Sequence, residues 1–327
     1  MRADLPTLGV RLPNSGPFAT PDALLETAEL AERLGYERVW VHDHISWSRD
    51  KLTHFATGSL EACADQDPNF FESVTTSAVL AGRLRRIGVG IAGLVIPLRD
   101  PRILAKQLAI TDALSGGRLT VALAIGNVRG DFEVMGVPFE RRGKLSNEYL
   151  GALRAILRGE QPVSYQGETI SFTDGTFLPQ PKNLRLWVTG SSDPGLRRAA
   201  RFADGWMTVY QSTEAYRAFV EQLGAFAQEE GRSPDDLEKA YETYVCVAAT
   251  QDEAVAVARR SLEGKFKTLD AGLDVCIVGD PDGFLERCAE YRAAGAGHLE
   301  LKFIGHDVGQ LHEEMAILAE AAGLRNA

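Results

Sequence analysis

Cysteine is scarce and scattered. Cys63, Cys246, Cys276 and Cys288 lie far apart in 327 residues with no CxxC spacing, so the pattern holds no disulfide framework and a reducing compartment is expected. Each reads as a small buried apolar side chain. Positive charge is also short. The 35 Lys and Arg are dispersed and outnumbered by 45 Asp and Glu, for a net charge of -10, which argues against a nucleic-acid partner, since phosphate backbones need a basic face. No apolar run reaches membrane-spanning length, and no charged-then-apolar segment opens the chain. A cytoplasmic protein with no membrane association is therefore expected.

What the chain does have is 45% hydrophobic residues, enough at this length for a large core, and one domain over 1–327 is expected. It is organised around the stretch TDALSGGRLTVALAIGN at 111–127. Leu104, Leu108 and Leu114 keep roughly helical spacing, and Ser115-Gly116-Gly117 can take the positive φ that stops a helix. Residues 119–125 are apolar apart from Thr120, the mark of a strand covered on both faces. Gly126-Asn127 follows at its carboxyl end, where α/β proteins bind ligands, so the active site is expected there.

The same strand-then-helix period runs through the chain. Strands are expected near residues 10, 40, 90, 122, 188, 207, 245 and 301, with Thr20-Pro21 and Asp100-Pro101 opening helices and Gly35 ending one. Residues 45–69 are too long for an ordinary βα connection and read as a lid or wall over the site. Residues 161–182 read as an inserted hairpin or loop. The fold class is α/β, a (β/α)8 TIM barrel with insertions in the loops after strands 2 and 4, although periodicity alone does not separate a closed barrel from an open doubly wound sheet. Gly88, Gly90 and Gly93 interrupt the third strand, a sign of a bulge or of close backbone approach.

Strand two ends in Trp40-Val41-His42-Asp43-His44. Alternation places Trp40, His42 and His44 on one face, with His44 at the mouth. An imidazole there suits proton transfer near neutral pH; a histidine satisfied by hydrogen bonds inside the barrel is the other reading, and the one taken for His42. His-x-His could also hold a metal. There is no histidine between His54 and His298 and no carboxylate cluster to complete such a site, so none is expected. Gly190-Ser191-Ser192, ahead of a helix near Pro194, offers backbone N–H and hydroxyl groups to a phosphate.

Five motifs in order carry a family resemblance. They are Leu34-Gly35-Tyr36-Glu37-Arg38-Val39-Trp40 with Asp43-His44, then Val95-Ile96-Pro97-Leu98-Arg99-Asp100-Pro101, then Asp112-Ala113-Leu114-Ser115-Gly116-Gly117-Arg118, then Phe132-Glu133-Val134-Met135-Gly136, and Ala203-Asp204-Gly205-Trp206. Together they resemble the bacterial luciferase-like monooxygenase superfamily over nearly the whole chain. Leu12-Pro13-Asn14-Ser15-Gly16-Pro17 is most similar to the branch that uses the deazaflavin coenzyme F420. The resemblance implies a TIM barrel and an oxidoreductase that transfers a hydride between F420 and a small organic substrate. It makes His44 catalytic, puts Asp43 against the cofactor ring, and implies a cis peptide in a bulge at Ala92-Gly93. It places a phosphate-binding basic residue at Lys144, where arginine is commoner, with Arg141 and Arg142 as neighbours not separated from it. The sugar-phosphate dehydrogenases of this branch carry a glutamate near Asn127; here the amide can bind cofactor or substrate but not exchange a proton. The alternatives are an FMN-dependent monooxygenase served by a separate flavin reductase and, from another class, a non-catalytic cofactor-binding barrel. A homodimer is the family default.

Overall fold

Buried apolar strands alternate with capped helices along most of the chain. A computed structural model describes residues 4–46, 69–304 and 307–324. Trp47, His54, Cys63 and nearly all of the 45–69 segment lie outside the described residues. The elements are β1 (Thr7–Arg11), α1 (Pro21–Leu34), β2 (Arg38–Val41), α2 (Ser73–Arg83), β3 (Gly88–Val95), α3 (Pro101–Ser115), β4 (Leu119–Ala124), α4 (Arg129–Val134), α5 (Arg142–Arg158), β5 (Val163–Gln166), β6 (Ser171–Gly175) and β7 (Arg185–Thr189). Then come α6 (Asp193–Phe202), β8 (Gly205–Val209), α7 (Thr213–Glu229), β9 (Glu238–Val247), α8 (Gln251–Lys265), α9 (Leu269–Val275), β10 (Ile277–Gly279), α10 (Pro281–Ala293), β11 (His298–Phe303) and α11 (Val308–Ala321).

The helix signals act as their chemistry demands. Thr20 Oγ1 accepts from Ala23 N with Pro21 in the first turn, and Gly35 closes α1 at φ 84°. Asp100 caps α3, and Gly116 ends it at φ 74°. α8 ends at Lys265 with Phe266 as its C-cap, and Thr268 caps α9 by accepting from Ala271 N. The short α4 and β10 have no counterpart in the sequence reading. The 161–182 insertion is the antiparallel β5–β6 hairpin.

All strand pairings in the main sheet are parallel, in the order β9-β11-β1-β2-β3-β4-β7-β8, and β8 pairs back to β9, closing an eight-stranded barrel. The open-sheet alternative is thereby settled. β8 follows β9 only from Glu238 to Glu242, while β10 joins β9 at Val245–Val247. The wall thus parts at the carboxyl end, next to Tyr210. Outward residues such as Val10, Val39, Val121 and Leu301 belong to the helix-facing core, while Trp40, Ala92, Ala122, Trp187, Met207 and Ala240 fill the interior.

Two indoles plug the bottom of the barrel, their rings 5.5 Å apart. They explain one of the strand glycines: a Cβ on Gly90 would lie 2.2 Å from Trp40 Cε3, so this position must stay bare for packing reasons. Trp40 Nε1 donates to His298 Nε2 at 3.0 Å, and His298 Nδ1 lies 2.8 Å from Thr7 Oγ1. An indole N–H only donates, so Nε2 is the bare nitrogen and Nδ1 carries the proton. Burial, reinforced by the Arg38 charge, holds this ring well below the usual histidine range. His298 is a neutral structural histidine.

Candidate functional site

Every strand of the ring ends at one face, and there a cavity of about 510 Å3 opens. Gly126 permits its shape. Its φ is 80°, and a Cβ would meet Phe132 and Val95 atoms at 2.7 Å, so both backbone conformation and space require glycine. Ala92-Gly93 is a cis peptide, at the point where the β3–β4 register shifts between Ala92 and Leu94. A Cβ on Gly93 would lie 3.0 Å from Ala124 Cβ.

The end of β2 is held from three sides. Asn14 Nδ2 donates to the His42 carbonyl at 2.9 Å, and Asn14 Oδ1 accepts from His42 N at 3.2 Å. Arg11 Nη1 donates to His42 Nδ1 at 2.6 Å, which leaves His42 Nε2 to donate to Ser15 Oγ at 2.9 Å because a guanidinium cannot accept. The Leu12-Pro13-Asn14-Ser15 motif therefore builds the frame behind His42. Asp43 follows, on the same wall. Its carboxylate has no exposed surface and accepts from Val95 N at 2.9 Å and from Arg99 and Ser73 at 2.7 Å. Burial would push this carboxyl up, but the Arg99 guanidinium and the other donors hold it below its ordinary value. Its side chain locks the start of α2 and Val95, beyond the bulge, to β2, and Asp43 is among the residues that line the cavity.

His44 lines the cavity. Its Nδ1 is 3.2 Å from Asp131 Oδ2, and Ser46 Oγ donates to Asp131 Oδ1 at 3.3 Å. Phe70 sits edge-on to the imidazole at 5.4 Å. Asp131, buried in α4, is a residue that the sequence reading missed. A carboxylate on Nδ1 fixes the ring's orientation and tautomer.

On the opposite wall Gly190, at φ 123°, has nothing within 4 Å of an added Cβ. Ser192 caps α6 through Gly195 N, and Ser191 lines the cavity beside it. Two arginines complete this side. Arg198 is 6% exposed, donates to Asn147 Oδ1 at 2.7 Å and Gly143 O at 3.4 Å, and its pKa is lowered by burial. Arg142 stacks 3.8 Å from the Phe139 ring centroid, and its buried Nε has no partner. Among the described residues neither has a carboxylate partner, so the pair, with Ser191 and Ser192 just ahead of the α6 N-terminus, fits a phosphate. Lys144 is not part of this cradle: it is exposed and lines a separate groove. On α5 the side chains of 142 and 144 point about 200° apart, and it is Arg142 that turns inward. Asn127 lies exposed on the rim.

The third side is a charged network the sequence reading also missed. Arg11 Nε donates to Glu300 Oε1, and Arg11 Nη2 is 3.0 Å from Glu242 Oε2. Burial pushes the Glu300 carboxyl up. Lys302 stands one layer above it, 4.6 Å from the Tyr244 ring centroid.

The closed barrel thus sets an imidazole paired with a carboxylate and two arginines without carboxylate partners among the described residues around one cavity. The chain belongs to the luciferase-like monooxygenase family, whose model matches residues 5–298. It is an oxidoreductase of the F420- or flavin-dependent kind. A 5,10-methylenetetrahydromethanopterin reductase of Methanolobus tindarius is 25% identical over 83% of this chain and 73% of its own length. An FMNH(2)-dependent dimethylsulfone monooxygenase of Pseudomonas putida is 30% identical over 58% of this chain and 52% of its own. A solved F420-dependent secondary alcohol dehydrogenase in complex with an F420-acetone adduct superposes with a TM-score of 0.80 at 19% identity, covering 98% of this chain and 99% of that one. Among the described residues no helix is long and apolar enough to cross a membrane.

Proposed function

We propose that this protein moves a hydride between coenzyme F420 and a small organic substrate, with His44 exchanging the accompanying proton. The observation that carries this reading is the His44–Asp131 pair on the wall of the cavity that also holds the Ala92-Gly93 bulge and the arginine cradle. The bound cofactor supplies the hydride donor or acceptor. A carbonyl or imine gaining a hydride needs a proton; with Nδ1 held by Asp131, Nε2 of His44 is the nitrogen assigned to deliver it. Ala92-Gly93 offers a side-chain-poor surface to the ring, Gly190, Ser191, Ser192, Arg142 and Arg198 hold the phosphate, and Asn127 binds at the rim through its amide. Asp43, on the cavity wall, lies against the ring, and its carboxylate fixes Val95 beyond the bulge.

Support for F420 over FMN comes from the Leu12–Pro17 resemblance. The Pseudomonas relative favours a second reading, an FMN monooxygenase fed by a reductase. Titration of the apoprotein with each cofactor at equal ionic strength separates them. Tighter F420 binding is expected; tighter FMN binding, together with oxygen consumption by the reduced complex, would overturn the choice. A non-catalytic barrel has no need of a carboxylate-oriented imidazole, and a turnover assay with reduced cofactor decides against or for it.

The protein is also proposed to be a homodimer. Ile103, Ile110 and Leu114 form one stripe of α3 and are 61%, 39% and 59% exposed, with Val79 of α2 at 52%. An apolar stripe of this kind marks a protein contact. Leu114→Arg should turn a dimer into a monomer by light scattering, whereas a monomeric wild type removes the proposal.

A further inference from the structure

Resting on the F420 reading, we propose that the groove outside the arginine cradle is the docking site for the anionic oligoglutamate tail that this coenzyme carries beyond its phosphate. The groove, about 560 Å3, runs between α5, the β5–β6 hairpin and the end of α6. Cavity and groove meet at one bond and one chain step: Arg198 lines the cavity and its Nε donates at 2.7 Å to Asn147, which lines the groove, and Arg142 of the cavity follows Arg141 of the groove. An anion leaving the cradle over the first turn of α5 therefore passes from Arg142 and Arg198 to Arg141, Lys144 and Arg201.

Charge in the groove is arranged for such a guest. Of its two carboxylates, Glu168 pairs with Arg141 at 2.6 Å, and Glu148 accepts Thr169 N at 2.6 Å and Ile170 N at 2.7 Å. Lys144 and Arg201 are exposed and have no carboxylate partner among the described residues. Over a surface whose net charge is -10, a chain of glutamates is repelled except where cations gather locally. FMN ends at its phosphate and has no use for this groove. The feature therefore distinguishes the two cofactors at a place remote from the ring.

The test is a set of binding titrations with F420 bearing several glutamates, its phospholactyl precursor lacking them, and FMN. Wild type should bind the tailed form about tenfold more tightly than the precursor at low salt, an advantage that salt removes, because the contacts are exposed ion pairs. The K144E/R201E double variant should lose that advantage and keep the affinities for the precursor and for FMN, which also reports that it is folded. An unchanged tail advantage in the double variant, or none in wild type at low salt, overturns the groove assignment while leaving the cofactor reading intact. Binding of FMN with no binding of either deazaflavin overturns both.

Discussion

His44→Ala is expected to lose at least ~100-fold in turnover while binding cofactor as wild type does, since general acid–base catalysis contributes on that scale. The ring lines the cavity and pairs with Asp131, while His42 keeps its own bonds to Asn14, Arg11 and Ser15, so removal of His44 leaves that frame in place. Asp131→Asn is the companion variant. An amide can still meet Nδ1, but it fixes neither tautomer and carries no charge, so turnover should fall by a smaller factor, about tenfold, with a displaced pH–rate profile. A purely structural Asp131 would change stability and leave that profile where it was. Near-normal turnover of His44→Ala would remove the imidazole from the mechanism.

The fold was legible because most of its signals are local. Thr20-Pro21, Asp100-Pro101, Gly35 and Ser115-Gly116-Gly117 are caps whose chemistry reads directly from residue type, and eight apolar segments with helical segments between them leave few topologies. The site was legible where it follows a strand end: His44, Ala92-Gly93 and Gly190-Ser191-Ser192 all line the cavity. Side-chain direction was the weaker part. The donors around the Asp43 carboxylate were not legible, because Val95 N and Arg99 are 52 and 56 residues away in sequence. Leu114 was grouped with Leu104 and Leu108, but ten residues at 100° each leave it well off their stripe, and it is exposed with Ile103 and Ile110. One miss had a usable signal. His298-Leu299-Glu300-Leu301-Lys302-Phe303 alternates polar and apolar, and in a barrel jacketed by helices the polar face of such a strand must be the interior. The three polar residues occupy successive layers, from the neutral His298 at the plug to Lys302 at the cavity. Arg198 had no comparable signal, because its inward direction depends on how α6 packs against α5.

Arg198→Ala should weaken FMN and F420 alike by about 100-fold, and leave their phosphate-free chromophores unaffected. Hydrogen bonds to a charged group are worth about 1.5–3 kcal/mol each, and losing one or two of them near a phosphate corresponds to about 3 kcal/mol, or two decades in affinity. The side chain is suited to that role: it is buried, its charge is held in place by neutral acceptors, Asn147 Oδ1 and Gly143 O, and its lowered pKa reflects the burial of a cation without a local counter-charge. A phosphate would supply that counter-charge. Arg198→Lys should recover part of the loss, since it keeps the charge without the planar fork. The same substitutions could act through packing between α5 and α6, which would weaken phosphate-bearing and phosphate-free ligands equally. Equal weakening would therefore assign Arg198 to the helix interface and leave Arg142 with the serines of the β7 loop as the cradle.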